Sequence, residues 1–211
     1  CRTGEESYQA LVTLIEEARE SLYVTMFILK TDAVGADIRD RLTRRAAEGI
    51  DVRLLLDDWG SLRTRRRFLR SFTDAGGQVA YFMPLLHRPF AARTNLRNHR
   101  KVVIADGELV LSGGINIGEE YLGPTPKRGR WADLAFVLEG PATRFYCDVF
   151  RSDWTFAKGS TARDSASDNL PIARPSEAVA QVVPSGPDVQ GDALYEVVLS
   201  VAFAAEEGLW I

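Results

Sequence analysis

Hydrophobic positions along this chain switch repeatedly between a helical spacing and a strand spacing. In residues 5–20 apolar side chains recur every three or four positions, as on one face of a helix, whereas residues 21–29 (SLYVTMFIL) are rich in β-branched and aromatic types. The same signals predict further helices at 35–48, 64–75 and 141–156 and further strands at 51–57, 78–82, 101–104, 109–111 and 131–138. Helices that alternate with strands in this way predict an α/β fold with a buried sheet.

Two of the predicted strands, 101–104 and 109–111, are joined by a short turn that contains Asp106 and Gly107. An Asp-Gly pair between two apolar runs is a strong hairpin signal. A basic, irregular stretch from Leu85 to Asn98 leads into this hairpin.

The end of the chain resembles its beginning. At an ungapped offset of 187 residues, Tyr8 aligns with Tyr195 and Glu20 with Glu207. Two amphipathic helices that each lead into a strand would produce part of this match, so duplication and chance likeness both stay open. With duplication, the chain comprises one domain over residues 1–160, a polar linker over 161–177 and, over 178–211, the start of a second, truncated domain.

Composition limits the function classes. Of the 211 residues, 45% are hydrophobic and 26% are charged, which is typical of a globular domain and excludes disordered and fibrous classes. The net charge of −3 disfavours recruitment of nucleic acid by the field of the whole chain. The two cysteines form no disulfide framework or cysteine metal site, and no apolar run approaches the roughly 20 residues of a membrane span.

Chemistry-bearing residues cluster around the hairpin. His99 and Lys101 lie two positions apart on an extended segment, so their side chains project from the same face. An imidazole beside an ammonium group suits a phosphodiester, because the neutral imidazole attacks phosphorus and the cation stabilises the charged oxygens. The pair therefore predicts phosphoryl chemistry.

A glycine-rich bend follows the return strand, in the run Ser112-Gly113-Gly114-Ile115-Asn116. Gly113 and Gly114 permit a close approach of the backbone, and the Asn116 amide offers hydrogen-bond donors to phosphate oxygens. The alternative, a surface strand that ends in a glycine bend, stays open from these residues alone.

The run NHRKVVIADGELVLSGGINIGEEYLG closely resembles the first signature of the phospholipase D superfamily, and within it the bacterial cardiolipin synthases. The segments WADLAFVLEGPA and VVPSGPD support the narrower likeness. The resemblance implies an α/β/α sandwich with a mixed β-sheet, a reaction without metal or cofactor, and a phosphohistidine intermediate. By position, His99 is one of two active-site histidines, while Lys101, Gly114 and Asn116 hold phosphate.

Two carboxylates complete the predicted site. Asp106 is the aspartate of the signature and counts with the catalytic set, although its place in the turn favours a structural and ion-pairing role. Relatives place a carboxylate on the strand after the signature, where it orients the histidine, and Asp133 is the candidate. A solvated acid on an edge strand is the alternative for Asp133.

The resemblance implies a phosphatidyltransferase that forms cardiolipin from two phosphatidylglycerols and releases glycerol. A phospholipase D or nuclease of the same superfamily and a noncatalytic headgroup-binding module are the alternatives. The implied partners are phospholipid, a second phospholipase D-like domain in cis or in a homodimer, and the bacterial cytoplasmic membrane, reached peripherally or through segments outside this sequence; nucleic acid is not favoured. Because the signature occurs once here, we expect this piece alone to be inactive.

Overall fold

The computed structural model describes residues 1–62, 64, 66–82, 97–159, 180–185 and 193–208. Its helices and strands, in chain order, are α1 (Gly4–Glu17), β1 (Ser21–Met26), α2 (Ala33–Ala47), β2 (Asp51–Asp57), α3 (Arg70–Asp74), β3 (Gln78–Phe82), β4 (Val102–Ala105), β5 (Leu109–Gly113), β6 (Ala135–Glu139), α4 (Thr143–Lys158) and α5 (Ala193–Ala204).

The six strands form one mixed sheet in the order β3-β2-β1-β4-β5-β6. Strands β1, β2 and β3 are parallel, while β4 is antiparallel to β1, β5 to β4 and β6 to β5. The predicted hairpin is confirmed, with Val103 opposite Leu111. Asp106 and Gly107 both have positive φ (54° and 71°), a conformation for which Asp-Gly is well suited.

Helices cover both faces of the sheet, which confirms the α/β/α prediction. Alternate residues of β2 face opposite layers, since Leu54 packs in the core beneath α1–α3 and Leu55 packs in the core beneath α4. On the α4 side, the Phe150 ring stacks on Tyr23 at a centroid distance of 4.8 Å. The buried sheet explains why its central strands read as continuous apolar runs.

The helix predicted at 64–75 is wrong in extent, because α3 spans only Arg70–Asp74. Side-chain hydrogen bonds hold the preceding segment in turns: the Thr64 hydroxyl donates to the Leu29 carbonyl, and the Tyr81 hydroxyl donates to the Thr64 carbonyl at 3.1 Å. These contacts outweigh the helical propensity of the arginine-rich sequence.

The first predicted strand also ends early, at Met26 rather than Leu29. Beyond it the chain pairs with another segment, where Lys30 N–H donates to the Ile117 carbonyl at 2.9 Å and Ile117 N–H donates to the Ile28 carbonyl at 3.1 Å.

The predicted linker at 161–177 lies outside the described residues. Beyond it, α5 exposes apolar side chains that include Tyr195 and Phe203. The assignment of residues 178–211 to a second domain stays a prediction. Within the described ranges, the structure contains no helix that combines the length and apolarity needed to cross a membrane.

Candidate active site

The candidate site lies at one edge of the sheet, where strands of opposite direction meet. Because β4 runs antiparallel to β1, its beginning lies beside the end of β1. The segment that enters β4 therefore brings His99 and Lys101 next to Phe27, which directly follows β1.

The structure places the two predicted phosphoryl-chemistry residues in direct contact. Lys101 Nζ lies 3.0 Å from His99 Nδ1 and donates to the His99 carbonyl oxygen at 2.6 Å. Lys101 is buried, with 6% of its surface exposed, whereas His99 is exposed. The imidazole is thus accessible to a substrate, and the cation lies beneath it.

Phe27 forms one wall of the pair. Its ring centroid lies 4.4 Å from that of His99, at an interplanar angle of 59°, and 5.2 Å from Lys101 Nζ. An aromatic face near an ammonium group stabilises the charge while it excludes water. This wall fixes the position of the imidazole from one side.

The environment lowers the pKa of both basic groups. Partial desolvation of the imidazole, which packs on Phe27 on one side, is the main cause for the lowered pKa of His99; the positive charge of Lys101 adds to it, and the carboxylate of Asp57 opposes it. Burial also lowers the pKa of Lys101 to about 8, against the opposing attraction of Asp133. The lowered pKa favours the neutral imidazole, which is the form that can act as a nucleophile.

The glycine bend carries Asp133 toward this pair. A Cβ built on Gly114 would lie 2.2 Å from both carboxylate oxygens of Asp133, so the carboxylate packs directly against the Gly114 backbone. Asp133 is exposed, and its Oδ1 accepts from its own neighbour, the Leu134 N–H, at 2.7 Å. In this arrangement Lys101, rather than Asp133, contacts His99 Nδ1, so the orienting role of Asp133 stays a prediction.

Asn116 is buried behind the site. Its Oδ1 accepts from the Ile28 N–H at 3.0 Å, which ties the segment after β5 to the segment after β1. The side chain therefore lies near Phe27 but also has a structural bond, and its part in phosphate binding stays a prediction.

Asp106 lies at the other end of β4, in the hairpin turn. Its carboxylate accepts three backbone N–H groups, from Arg19, Glu20 and Ser21, each at 2.8 Å. These bonds join the turn to the residues that begin β1. The geometry supports the structural part of the expectation for Asp106 and gives its carboxylate no contact with the His99–Lys101 pair.

A buried polar network anchors the segment that carries His99, and it includes residues that sequence reasoning missed. Asp153 is fully buried and accepts from Asn98 Nδ2 and Arg100 Nη1, both at 2.7 Å. Asp57, the last residue of β2, accepts the Asn98 N–H at 3.1 Å. The residues on both sides of His99 are thus held in place. The sequence signal for this network was a single acid, Asp153, between Phe150 and Trp154 on the apolar face of α4.

A cavity of about 270 Å³ adjoins the site on the α4 side of the sheet. Lys101, Ser112 and Thr25 line its floor, and residues 181–185 (QVVPS) lie over it. Arg100 joins this segment to the network, because its Nη2 donates to the Ser185 carbonyl at 2.8 Å.

The mixed sheet covered by helices on both faces is the fold of a phospholipase D-like domain. Among solved structures, phosphatidylserine synthase from Haemophilus influenzae has the same fold, with a TM-score of 0.57 at 20% identity over 77% of this chain and 39% of that one. Nuc from Salmonella typhimurium, a phospholipase D family member, matches with a TM-score of 0.52 at 17% identity, over 70% of this chain and 86% of that one.

Sequence comparison narrows this class. The family model described as cardiolipin synthase, PLD-like domain, matches residues 11–154, and the chain belongs to this family. Cardiolipin synthase 1 of Bacillus cereus is 33% identical over 99% of this chain and 42% of its own length. The major cardiolipin synthase of Bacillus subtilis is 38% identical over 88% of this chain and 39% of its own length. The chain thus spans less than half the length of these relatives.

Proposed function

We propose that this chain is a catalytic domain of a phosphatidyltransferase that forms cardiolipin from two phosphatidylglycerols. The observation that carries the proposal is the contact between Lys101 Nζ and His99 Nδ1 at the open edge of the sheet. The family match supports phospholipid as the substrate class.

In the first half of the reaction, His99 Nε2 attacks the phosphorus of phosphatidylglycerol. A bond from nitrogen to phosphorus forms, the bond to the glycerol oxygen breaks, and an acid outside this domain protonates the departing glycerol. Lys101 moves from Nδ1 to the phosphate oxygens, where its charge stabilises the transition state. Attack by Nε2 requires the tautomer that carries its proton on Nδ1, and once Lys101 has left Nδ1 this N–H donates a hydrogen bond to the Asp133 carboxylate, which holds that tautomer.

In the second half, the hydroxyl of another phosphatidylglycerol attacks the phosphohistidine. Its proton passes to the base left by the first step, and the bond between phosphorus and nitrogen breaks to give cardiolipin and free His99.

A second phospholipase D-like domain would supply the missing acid, either in cis or from a second copy. The chain's share of its relatives' length and the exposed apolar side chains of α5 both support this arrangement. We expect the chain alone to show no turnover, and the full-length product of its gene to be active. Turnover by the chain at concentrations where it dimerises would instead identify a homodimeric site.

The test is an assay of the full-length product with phosphatidylglycerol labelled in its phosphate, followed by analysis of lipids and of protein-bound label. Cardiolipin with an equal amount of glycerol, and an acid-labile phosphoenzyme that His99→Ala abolishes, support the proposal. His87→Ala is the matched control, since it removes the other histidine and leaves the signature intact. Phosphatidic acid without cardiolipin would identify a phospholipase and overturn the transferase assignment.

A further inference from the structure

Positive charge is concentrated in one stretch of the sequence. Residues 59–101 contain ten Lys and Arg and a single acid, Asp74, which gives a net charge of +9. The rest of the chain therefore carries −12, since the total is −3. Such segregation produces a local field that the small total conceals.

The described part of this stretch carries five exposed side chains from the end of β2 to the start of α3, which we call together the arginine-tryptophan surface: Trp59, Leu62, Arg66, Arg67 and Arg70. All five side chains are exposed, with 60% of Trp59 and 41% of Leu62 accessible. The three arginines line a groove of about 640 Å³. Large apolar side chains and guanidinium groups thus share one outward-facing segment.

The turn that carries Trp59 is joined to the segments that form the candidate active site. Asp57 Oδ1 accepts the N–H groups of Trp59 and Gly60, both at 3.0 Å, and its other oxygen accepts the Asn98 N–H. Ser61 Oγ donates to the Phe27 carbonyl at 3.0 Å, and Phe27 packs on His99. The turn is thus joined through Asp57 to Asn98, the neighbour of His99, and through Ser61 to Phe27, whose ring contacts His99.

Gly60 lies so close to the backbone of Phe27 that a larger residue does not fit at this position. A Cβ on Gly60 would lie 2.2 Å from the Phe27 carbonyl oxygen. The turn that carries Trp59 consequently lies in contact with the residue that forms the wall of the site.

We propose that the arginine-tryptophan surface docks this domain on a bilayer that contains anionic phospholipid. The guanidinium groups meet lipid phosphates, while Trp59 and Leu62 enter the interfacial layer, where amphipathic aromatic side chains are favoured. The proposal rests on the proposed function, because an enzyme that acts on phospholipid headgroups has to reach the bilayer that holds them. Exposed Trp and Leu side chains among the arginines favour a bilayer over nucleic acid, whose backbone offers phosphate without an apolar layer.

The experiment measures co-sedimentation of the 211-residue chain with vesicles of equimolar phosphatidylglycerol and phosphatidylcholine, against vesicles of phosphatidylcholine alone. We expect binding to the anionic vesicles only, and a roughly 100-fold loss of partitioning in R66Q/R67Q/R70Q, from about 1 kcal/mol per arginine near the surface. The matched control, R2Q/R128Q/R144Q, removes three exposed arginines from outside the stretch and should change partitioning less than about 3-fold, through net charge alone.

Trp59→Ser separates the apolar part from the charge. It should weaken binding about 10-fold even at roughly 0.5 M salt, where electrostatic attraction is screened. Circular dichroism of each variant shows whether the fold persists, and the exposed positions make loss of the fold an unexpected result.

Equal losses in the two triple variants, or no preference for anionic vesicles, would overturn the docking surface. Arginine-dependent binding of a single-stranded oligonucleotide without vesicle binding would assign the surface to nucleic acid. Vesicle binding uses no catalytic step, so it can succeed where the full-length product makes no cardiolipin, and the two proposals fail independently.

Discussion

Lys101 holds its ammonium group 3.0 Å from Nδ1 of His99, although the lysine is buried and the histidine is exposed. The same burial that lowers the pKa of Lys101 also brings its charge close enough to lower the pKa of His99. Desolvation of the imidazole is the larger cause for His99, and together with the Lys101 charge it favours a neutral imidazole near neutral pH.

The first prediction is a bell-shaped pH dependence of kcat/KM in the full-length product. Activity rises as His99 loses its proton, at a pH below the ordinary value for histidine, and falls near pH 8 as Lys101 loses its proton. Lys101→Arg keeps a positive charge at all accessible pH, so it should move the alkaline limb upward even if the rate falls. An unchanged alkaline limb in this variant would assign the limb to another group.

The second prediction concerns stability. Folding lowers the pKa of Lys101 from 10.5 to about 8, so below pH 8 the folded state binds this proton more weakly than the unfolded state, which costs stability. Lys101→Met should therefore raise the free energy of unfolding at pH 7 by about 1 kcal/mol, measured by denaturant titration. The variant should also be inactive. This advantage should shrink as the pH rises from 8 to 10.5; a difference that is independent of pH would contradict the explanation.

The third prediction separates structural from chemical roles at Asp106. Asp106→Ala loses three charge-assisted bonds to backbone N–H groups and places alanine at positive φ, so the free energy of unfolding should fall by about 2 kcal/mol. Asparagine keeps an acceptor oxygen and tolerates this φ, so Asp106→Asn should lower the free energy of unfolding by less. If Asp106→Asn folds normally but loses kcat by orders of magnitude, a catalytic role stands instead.

The fourth prediction concerns the glycine bend. Gly114→Ala should push the Asp133 carboxylate away from Lys101, lower the pKa of Lys101 further and move the alkaline limb to lower pH. Asp133→Asn removes the same negative charge and should shift this limb in the same direction. Gly113→Ala is the control for packing, since its Cβ would meet the Leu134 carbonyl at 2.2 Å and should cost stability. Normal pH profiles in Gly114→Ala and Asp133→Asn would remove Asp133 from the site.

Local signals in the sequence predicted most of the elements on which the site is built, but β6 begins at Ala135, so Asp133 lies before the strand that was predicted at 131–138. The bounds of β2 and β3 match the apolar runs, because strands buried on both faces leave few polar residues to blur them. The hairpin followed from Asp106-Gly107, and the approach of His99 to Lys101 followed from their alternation along an extended chain.

Features that depend on contacts distant in sequence could not be predicted in this way. The burial of Lys101 and the bonds from Asp153 to Asn98 and Arg100 join segments more than 50 residues apart. The short α3 likewise reflects contacts of Thr64 with Leu29 and Tyr81, which no local propensity contains.

The position of β4 between β1 and β5 has a consequence for synthesis on the ribosome. Strand β1 pairs with β2 on one side, but its other edge stays open until β4 has been made, some 80 residues later in the chain. A nascent chain that stops before Val102 therefore presents an apolar strand edge that can pair with another molecule. Strand β4, which directly follows His99 and Lys101, therefore also covers the open side of β1 and so lowers the risk of aggregation during translation.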